Sequence, residues 1–211
     1  QTYKENENAP GVPVYTEPTT NASEGNPRGT VADVYTQIDA DMEQAVQLLN
    51  PEVAAPRTHP SHIDYYVANG IKANIALEKN DWSTAETAAD IAMSGGTSML
   101  TMSELNKGFA FNDANANTVL WGLQIISEQM SGTQSFFGHM DASTENYAET
   151  ARKCVSTWLY DQMSEEDVRK NMWWLGPLEE DAGIGPLFSY NQFKFQFSDP
   201  TNNLGDYILM R

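Results

Sequence analysis

The sequence predicts a mostly α-helical protein built from tetratricopeptide-like helical hairpins, with a minor irregular β and loop portion. Three observations carry that prediction. Small residues recur at Ala73, Ala76, Ala85, Ala89 and Ala92, on either side of Asn80-Asp81-Trp82. That spacing lets two antiparallel helices approach closely, as in repeat hairpins of about 34 residues. Apolar residues return at helical spacing through the first half of the chain, whereas period-two alternation is confined to its last forty or so residues.

Taken in order, residues 1–29 are rich in Pro, Gly, Asn, Thr and Glu and read as an extended lead-in. Thr30 then caps a helix, with Asp33 at the capping-box position and Val31, Val34, Tyr35, Ile38, Met42, Ala45, Leu48 and Leu49 on one stripe. Asn50-Pro51 ends it. Ser61 and Asp64 predict a second capping box and a helix from His62 to about Lys79, with Ile63, Val67, Ile71 and Ile75 inward. A third helix spans about Trp82 to Met93 and stops at Gly95-Gly96. Trp82 is expected to fill the seam of this hairpin beside the turn, against Ala85, and Tyr35 and Trp158 to be core.

The pattern changes after Lys107. Phe109, Phe111 and the Asn/Asp-rich run 112–117 predict a loop, residues 119–126 a strand, and residues 127–143 a long loop. Helical spacing from about Glu149 to Met163 predicts another helix that buries Cys154 as an inert thiol, and Ser164 with Asp167 caps a short one. Phe193, Phe195 and Phe197 alternate with Gln192, Lys194 and Gln196, the pattern of a half-buried strand.

The chain carries 12 Lys+Arg against 29 Asp+Glu, a net charge of -17. Nucleic-acid affinity comes chiefly from neutralising phosphates with cations, so no nucleic-acid partner is expected. The single cysteine excludes an internal disulfide. Carboxylate pairs such as Glu165-Glu166 and Glu179-Glu180 read as a helix first turn and a solvated loop rather than a glycosidase pair. No metal or other cofactor is expected. His59 and His62 lack further ligands, and Asp113-x-Asn115-x-Asn117 resembles only the first half of a calcium loop, without the glycine and the closing glutamate.

The order of features resembles the SusD/RagB family of Bacteroidetes outer-membrane nutrient-binding lipoproteins. Residues 28–38, Arg-Gly-Thr-Val-Ala-Asp-Val-Tyr-Thr-Gln-Ile, are similar to the family's first helix. Asn80-Asp81-Trp82-x-x-Ala85 resembles its Gly-Asp-Trp hairpin, with Asn in place of the usual Gly. Asn117-Thr118-Val119-Leu120-Trp121 resembles its strand, with Thr118 where Glu is frequent. Glu166-Asp167-Val168-Arg169 and residues 206–211 match later landmarks. The resemblance implies one SusD-like domain segment over 1–211: lead-in 1–29, helical scaffold 30–107 and a mixed ligand-side portion 108–211.

It further implies non-catalytic capture of a glycan or other nutrient at the outer-membrane surface, for hand-over to a TonB-dependent transporter of the SusC type, with any lipid anchor outside these residues. A helical-repeat adaptor and an acidic glycoside hydrolase are the alternatives. Sugars lay C–H faces on exposed rings, so the ligand candidates are the aromatics with no periodic reason for burial: Phe136, Phe137, Tyr147, Trp173 and Trp174. Adjacent aromatics cannot both face inward, so one of each pair is expected at the surface.

Overall fold

The computed structural model describes residues 2–105, 112–130, 134–142, 146–173, 175–176 and 189–211. The chain forms two compact units, Gln1–Gly96 and Thr97–Arg211, so the packing changes at the Gly95-Gly96 stop, before the sequence pattern changes at Lys107. Among the described residues the architecture is mostly helical with one two-stranded sheet, as the sequence predicts.

In the first unit, α1 (Val31–Leu48) starts where its four orphan amides all find acceptors. Val31 N–H donates to the Ala9 carbonyl at 2.9 Å and Ala32 N–H to that of Glu7 at 2.8 Å. Asp33 N–H donates to Thr30 Oγ1 at 3.1 Å and Val34 N–H to the Thr30 carbonyl at 3.3 Å. The Asp33 carboxylate returns the bond to Thr30 N–H, which holds its pKa below the ordinary carboxylate value. The lead-in is thus the cap of the first helix. Gly11 lies so close to it that a Cβ would stand 2.5 Å from the Thr30 carbonyl oxygen, and only glycine fits.

Helices α2 (Tyr65–Lys79) and α3 (Trp82–Met93) form the expected hairpin. The N-cap of α2 is Asp64, which accepts from Val67 N–H at 2.9 Å, and not Ser61. His59 Nδ1 engages the Ser61 hydroxyl at 2.7 Å, so residues 59–61 close a turn of their own and delay the helix. Asn80 ends α2 in the left-handed region at φ 60°, and Asp81 caps α3 through Thr84 N–H. The buried seam is Asn69, Gly70, Ala73 and Ala76 from α2 with Ala85, Ala88 and Ala92 from α3. Trp82 is not in it: its side chain is 63% exposed. At the first helical position the Cα–Cβ bond tilts toward the helix N-terminus, past the hairpin tip, and a seam closed by alanines has no room for an indole.

Tyr35 is half-buried on α1, held edge-on by Tyr3 at 5.0 Å, and Lys79 lies 5.6 Å from the Tyr3 ring. Lys79 also pairs with Asp39, and Lys72 with Glu43 at 3.0 Å, linking α1 to α2. Such exposed pairs add little each; the alanine seam carries the hairpin.

The second unit contains α4 (Met102–Leu105), β1 (Trp121–Leu123), α5 (Phe136–Met140), α6 (Tyr147–Thr150), α7 (Thr157–Asp161) and β2 (Tyr207–Met210), with 3-10 turns at Ser127–Gln129 and Val168–Met172. Strands β1 and β2 are antiparallel, Trp121 opposite Met210 and Leu123 opposite Tyr207, with a bulge between Trp121 and Gly122. The strand expected over 119–126 is therefore shorter, and part of the expected loop 127–143 is α5. The helix expected from Glu149 to Met163 is broken. Residues between α6 and α7 instead bond to the segment after Ser189, with Val155 N–H donating to the Tyr190 carbonyl at 3.1 Å and Cys154 bridging Asn191. Cys154 is consequently exposed rather than buried, and desolvation by its surroundings pushes its thiol pKa up. Trp158, on the outer side of the short α7, is 71% exposed, while Tyr160 faces inward against Trp173 and Tyr190.

The alternating run 192–197 is likewise not a paired strand. Its odd-numbered amides all have acceptors, each from a different source. Phe193 N–H donates to the Met172 carbonyl at 2.8 Å, Phe195 N–H to Gln192 Oε1 at 2.7 Å and Phe197 N–H to Asp141 Oδ2 at 2.9 Å. The alternation is real; its partners are two side chains and one turn carbonyl rather than a neighbouring strand.

Two substitutions separate the seam from its tip. Ala88→Leu should destabilise the first unit by about 1–3 kcal/mol through overpacking. Trp82→Ala should change it by less than about 0.5 kcal/mol. Urea denaturation followed by circular dichroism reads both, and a large loss for Trp82→Ala would restore the indole to the core.

Candidate functional site

Beside the two-stranded sheet, the second unit carries an open groove of about 620 Å³. Such a volume lies within the roughly 300–1,000 Å³ of small-ligand clefts. It is lined by β2 (Tyr207 to Met210, continuing into Arg211) together with Phe136, Phe137, Phe195, Lys194, Asp206, Leu100 and Asn112.

An aromatic cluster shapes it. Phe137 is buried at 3% exposure and packs on Phe197 at 5.8 Å and Tyr207 at 5.9 Å between ring centroids. Gly205 is required there, since a Cβ would meet the Phe137 ring at 2.5 Å. Phe136, the adjacent residue, lies edge-on to the Phe137 ring, 5.3 Å between centroids, but on the solvent side. It is 42% exposed and stands edge-on to Phe195 at 5.3 Å. The Phe136 amide donates to the Tyr207 hydroxyl at 3.4 Å, which fixes that ring at the head of α5. One ring of the Phe136-Phe137 pair thus anchors the cluster and the other meets solvent.

Buried polar groups hold these pieces in place. The Asp206 carboxylate, almost fully buried, accepts from Ala114 N–H through Oδ2 and from Ile125 N–H through Oδ1, both at 2.8 Å. Its own N–H donates to the Asn112 carbonyl at 2.9 Å. One residue therefore joins the 112–114 turn, the end of β1 and the start of β2. Gln192 acts similarly on the other side, donating to the Met140 carbonyl at 2.6 Å and so satisfying the C-terminal end of α5.

The other predicted aromatics sit elsewhere. Tyr147 is 48% exposed and stacks on His139 at 4.6 Å, with Lys153 Nζ 5.5 Å from its ring. Trp173 is half-buried and edge-on to Tyr160 at 6.1 Å. Neither is among the groove's lining residues. Trp174, Phe109, Phe111 and residues 179–181 lie outside the described residues. The sequence reading missed Lys194, Phe195, Tyr207 and Arg211. The alternation through Phe195 was the available signal, but it points to a face and not to what that face adjoins.

The Asp113 carboxylate accepts from Asn115 N–H at 2.8 Å, an ordinary Asx turn. No group of three or more His, Cys, Asp or Glu suited to a metal ion occurs among the described residues. The described carboxylates whose pKa departs clearly from the ordinary value, Glu5, Asp33, Asp81, Asp167 and Asp199, are all shifted downward by hydrogen bonds. None of these has the raised pKa of a general acid.

A family model described as SusD-like, starch-binding and associating with outer membrane matches residues 1–69. The whole chain superposes on a SusD-like carbohydrate binding protein from Bacteroides vulgatus with a TM-score of 0.79 and 26% identity, covering 43% of that protein. It also superposes in full on a SusD superfamily protein from Bacteroides thetaiotaomicron (TM-score 0.71, 19% identity, 46% of that chain covered). A surface glycan-binding protein A from Bacteroides uniformis is similar over 97% of this chain and 47% of its own length, with a TM-score of 0.57 and 15% identity. No curated protein sequence matches. The chain therefore has the fold of SusD-like proteins, its first 69 residues match the SusD-like family model, and it spans less than half the length of these solved relatives.

Removing the Asp206 carboxylate leaves two buried amides without acceptors. Asp206→Ala should destabilise the second unit by about 2–4 kcal/mol and speed hydrogen exchange at Ala114 and Ile125, which NMR can follow residue by residue. Unchanged exchange at both amides would refute this role. Asp167 caps the 168–172 turn and is held at a pKa of about 2 by hydrogen bonds from Arg169. Its folded pKa is depressed, so its contribution is complete above the ordinary carboxylate range and is lost as pH falls from about 4 toward 2. Asp167→Asn should abolish that pH dependence of the turn's amide exchange, and a persisting acid transition there would assign it to another group.

Proposed function

We propose that this protein captures a glycan in the groove flanked by Phe136, Phe195 and Tyr207, at the outer-membrane surface, and passes it to a TonB-dependent transporter of the SusC type without breaking a bond. The observation that carries this reading is the exposed Phe136 ring, held at the head of α5 by Tyr207 and flanked by Phe195 over an open groove. An exposed ring offers a flat apolar face to sugar C–H groups, while Lys194 at the groove supplies hydrogen-bond donors for hydroxyls. The family description and the carbohydrate-binding relative support the same class of ligand.

Binding without turnover agrees with the chemistry of the acids nearby. Asp206 spends its oxygens on two backbone amides, and Asp141 accepts the Phe197 amide. Both carboxylates serve the backbone that shapes the groove. Among the described residues, no helix is long and apolar enough to cross a membrane.

Calorimetric titration against a panel of oligosaccharides tests the proposal. Phe136→Ala should weaken the best ligand about tenfold, the equivalent of one lost ring contact. Tyr147→Ala should leave affinity within about twofold, because that ring lies off the groove. No binding across the panel, or equal losses for both variants, would count against the groove as the site.

A further inference from the structure

The charges on the groove run against those of the molecule. With 29 acidic and 12 basic residues, an acidic lining is the default, yet among the described residues the charged ones that line the groove are Lys194, Arg211 and Asp206. Asp206 is nearly fully buried and its carboxylate faces two N–H dipoles. The charge offered to a ligand is therefore cationic.

Lys194, like Lys153 beside Tyr147, is supported by a ring rather than by a carboxylate. Lys72, Lys79 and Lys170 each pair with a carboxylate. Lys194 instead holds its ammonium 5.0 Å from the centroid of the Phe195 ring, the same ring that stands against Phe136. An exposed sugar-binding face and a cation thus share one aromatic support. Arg211, bonded to the Thr118 hydroxyl at 3.1 Å, adds a guanidinium to the lining.

We propose that the groove selects an acidic glycan, a uronate-bearing oligosaccharide whose sugar face lies on Phe136 while its carboxylate meets Lys194. This rests on the glycan-capture reading above and names its ligand class. The net charge of -17 opposes a polyanion at long range. At physiological ionic strength, however, charges beyond about 8 Å are largely screened, and the local cations decide. A short oligomer feels the groove more than the rest of the surface.

The test compares tri-galacturonate with its methyl ester, which keeps the sugar and removes the charge, in calorimetric titration of the 211-residue chain. The acid should bind about tenfold tighter than the ester, one charge-assisted contact. Lys194→Ala should erase most of that preference and Lys194→Glu reverse it, with circular dichroism unchanged. Equal binding of acid and ester, or a preference that survives Lys194→Glu, overturns the inference and leaves glycan capture standing. Tighter binding of a sulfated, uronate-free carrageenan trimer than of the acid overturns the carboxylate assignment. Failure of acid, ester and every neutral oligosaccharide overturns both proposals.

Discussion

The second unit depends on a carboxylate used as a structural splice. Its regular elements are too short to satisfy their backbone through helices and ladders, since β1 and β2 pair over only a few residues. Buried amides left without acceptors would cost more than the short elements return. Asp206 meets that constraint by accepting two amides from segments distant in sequence while its own amide closes a third bond. Asp141 and Gln192 do the same for the 192–197 segment. The groove is lined by this spliced structure, so its shape follows from where those polar groups sit.

The first unit solves the opposite problem. Its helices satisfy their own backbone, and what must be specified is their distance. Alanine and glycine in the seam set that distance, Asn80 supplies the left-handed residue that reverses the chain, and the lead-in covers the amides of α1. Close packing of small side chains also expels the large ones, which is why Trp82, Leu77 and Met93 remain exposed.

This contrast explains which features were legible in the sequence. The Thr30–Asp33 capping box, the limits of α3 and the Asn80 turn are local, each fixed by residues within a few positions, and they lie where the pattern puts them. The burial of Trp82 and Trp158 was misread because stripe membership does not say how far a helix end extends past its partner. Cys154 was misread because its helical spacing loses to hydrogen bonds with Tyr190 and Asn191, which no local window contains. The Phe193–Phe197 alternation announced a two-faced segment without revealing that Asp141 and Gln192 stand in for a strand. Of the groove, the exposure of one ring of the Phe136-Phe137 pair was foreseeable; its meeting with Phe195, Tyr207 and Lys194 is a product of long-range contacts.

In the proposed capture role, the helical seam builds one unit and spliced loops shape the groove of the other. The central claim is that ligand contacts the face flanked by Phe136 and Tyr207. An NMR titration with the tightest oligosaccharide of the panel, observing aromatic and backbone signals, tests it most directly. Shifts concentrated on Phe136, Lys194, Phe195 and Tyr207 are the predicted result. Shifts centred on Tyr147 and Trp173, or on the α2–α3 hairpin, with the groove signals unmoved, would contradict the account.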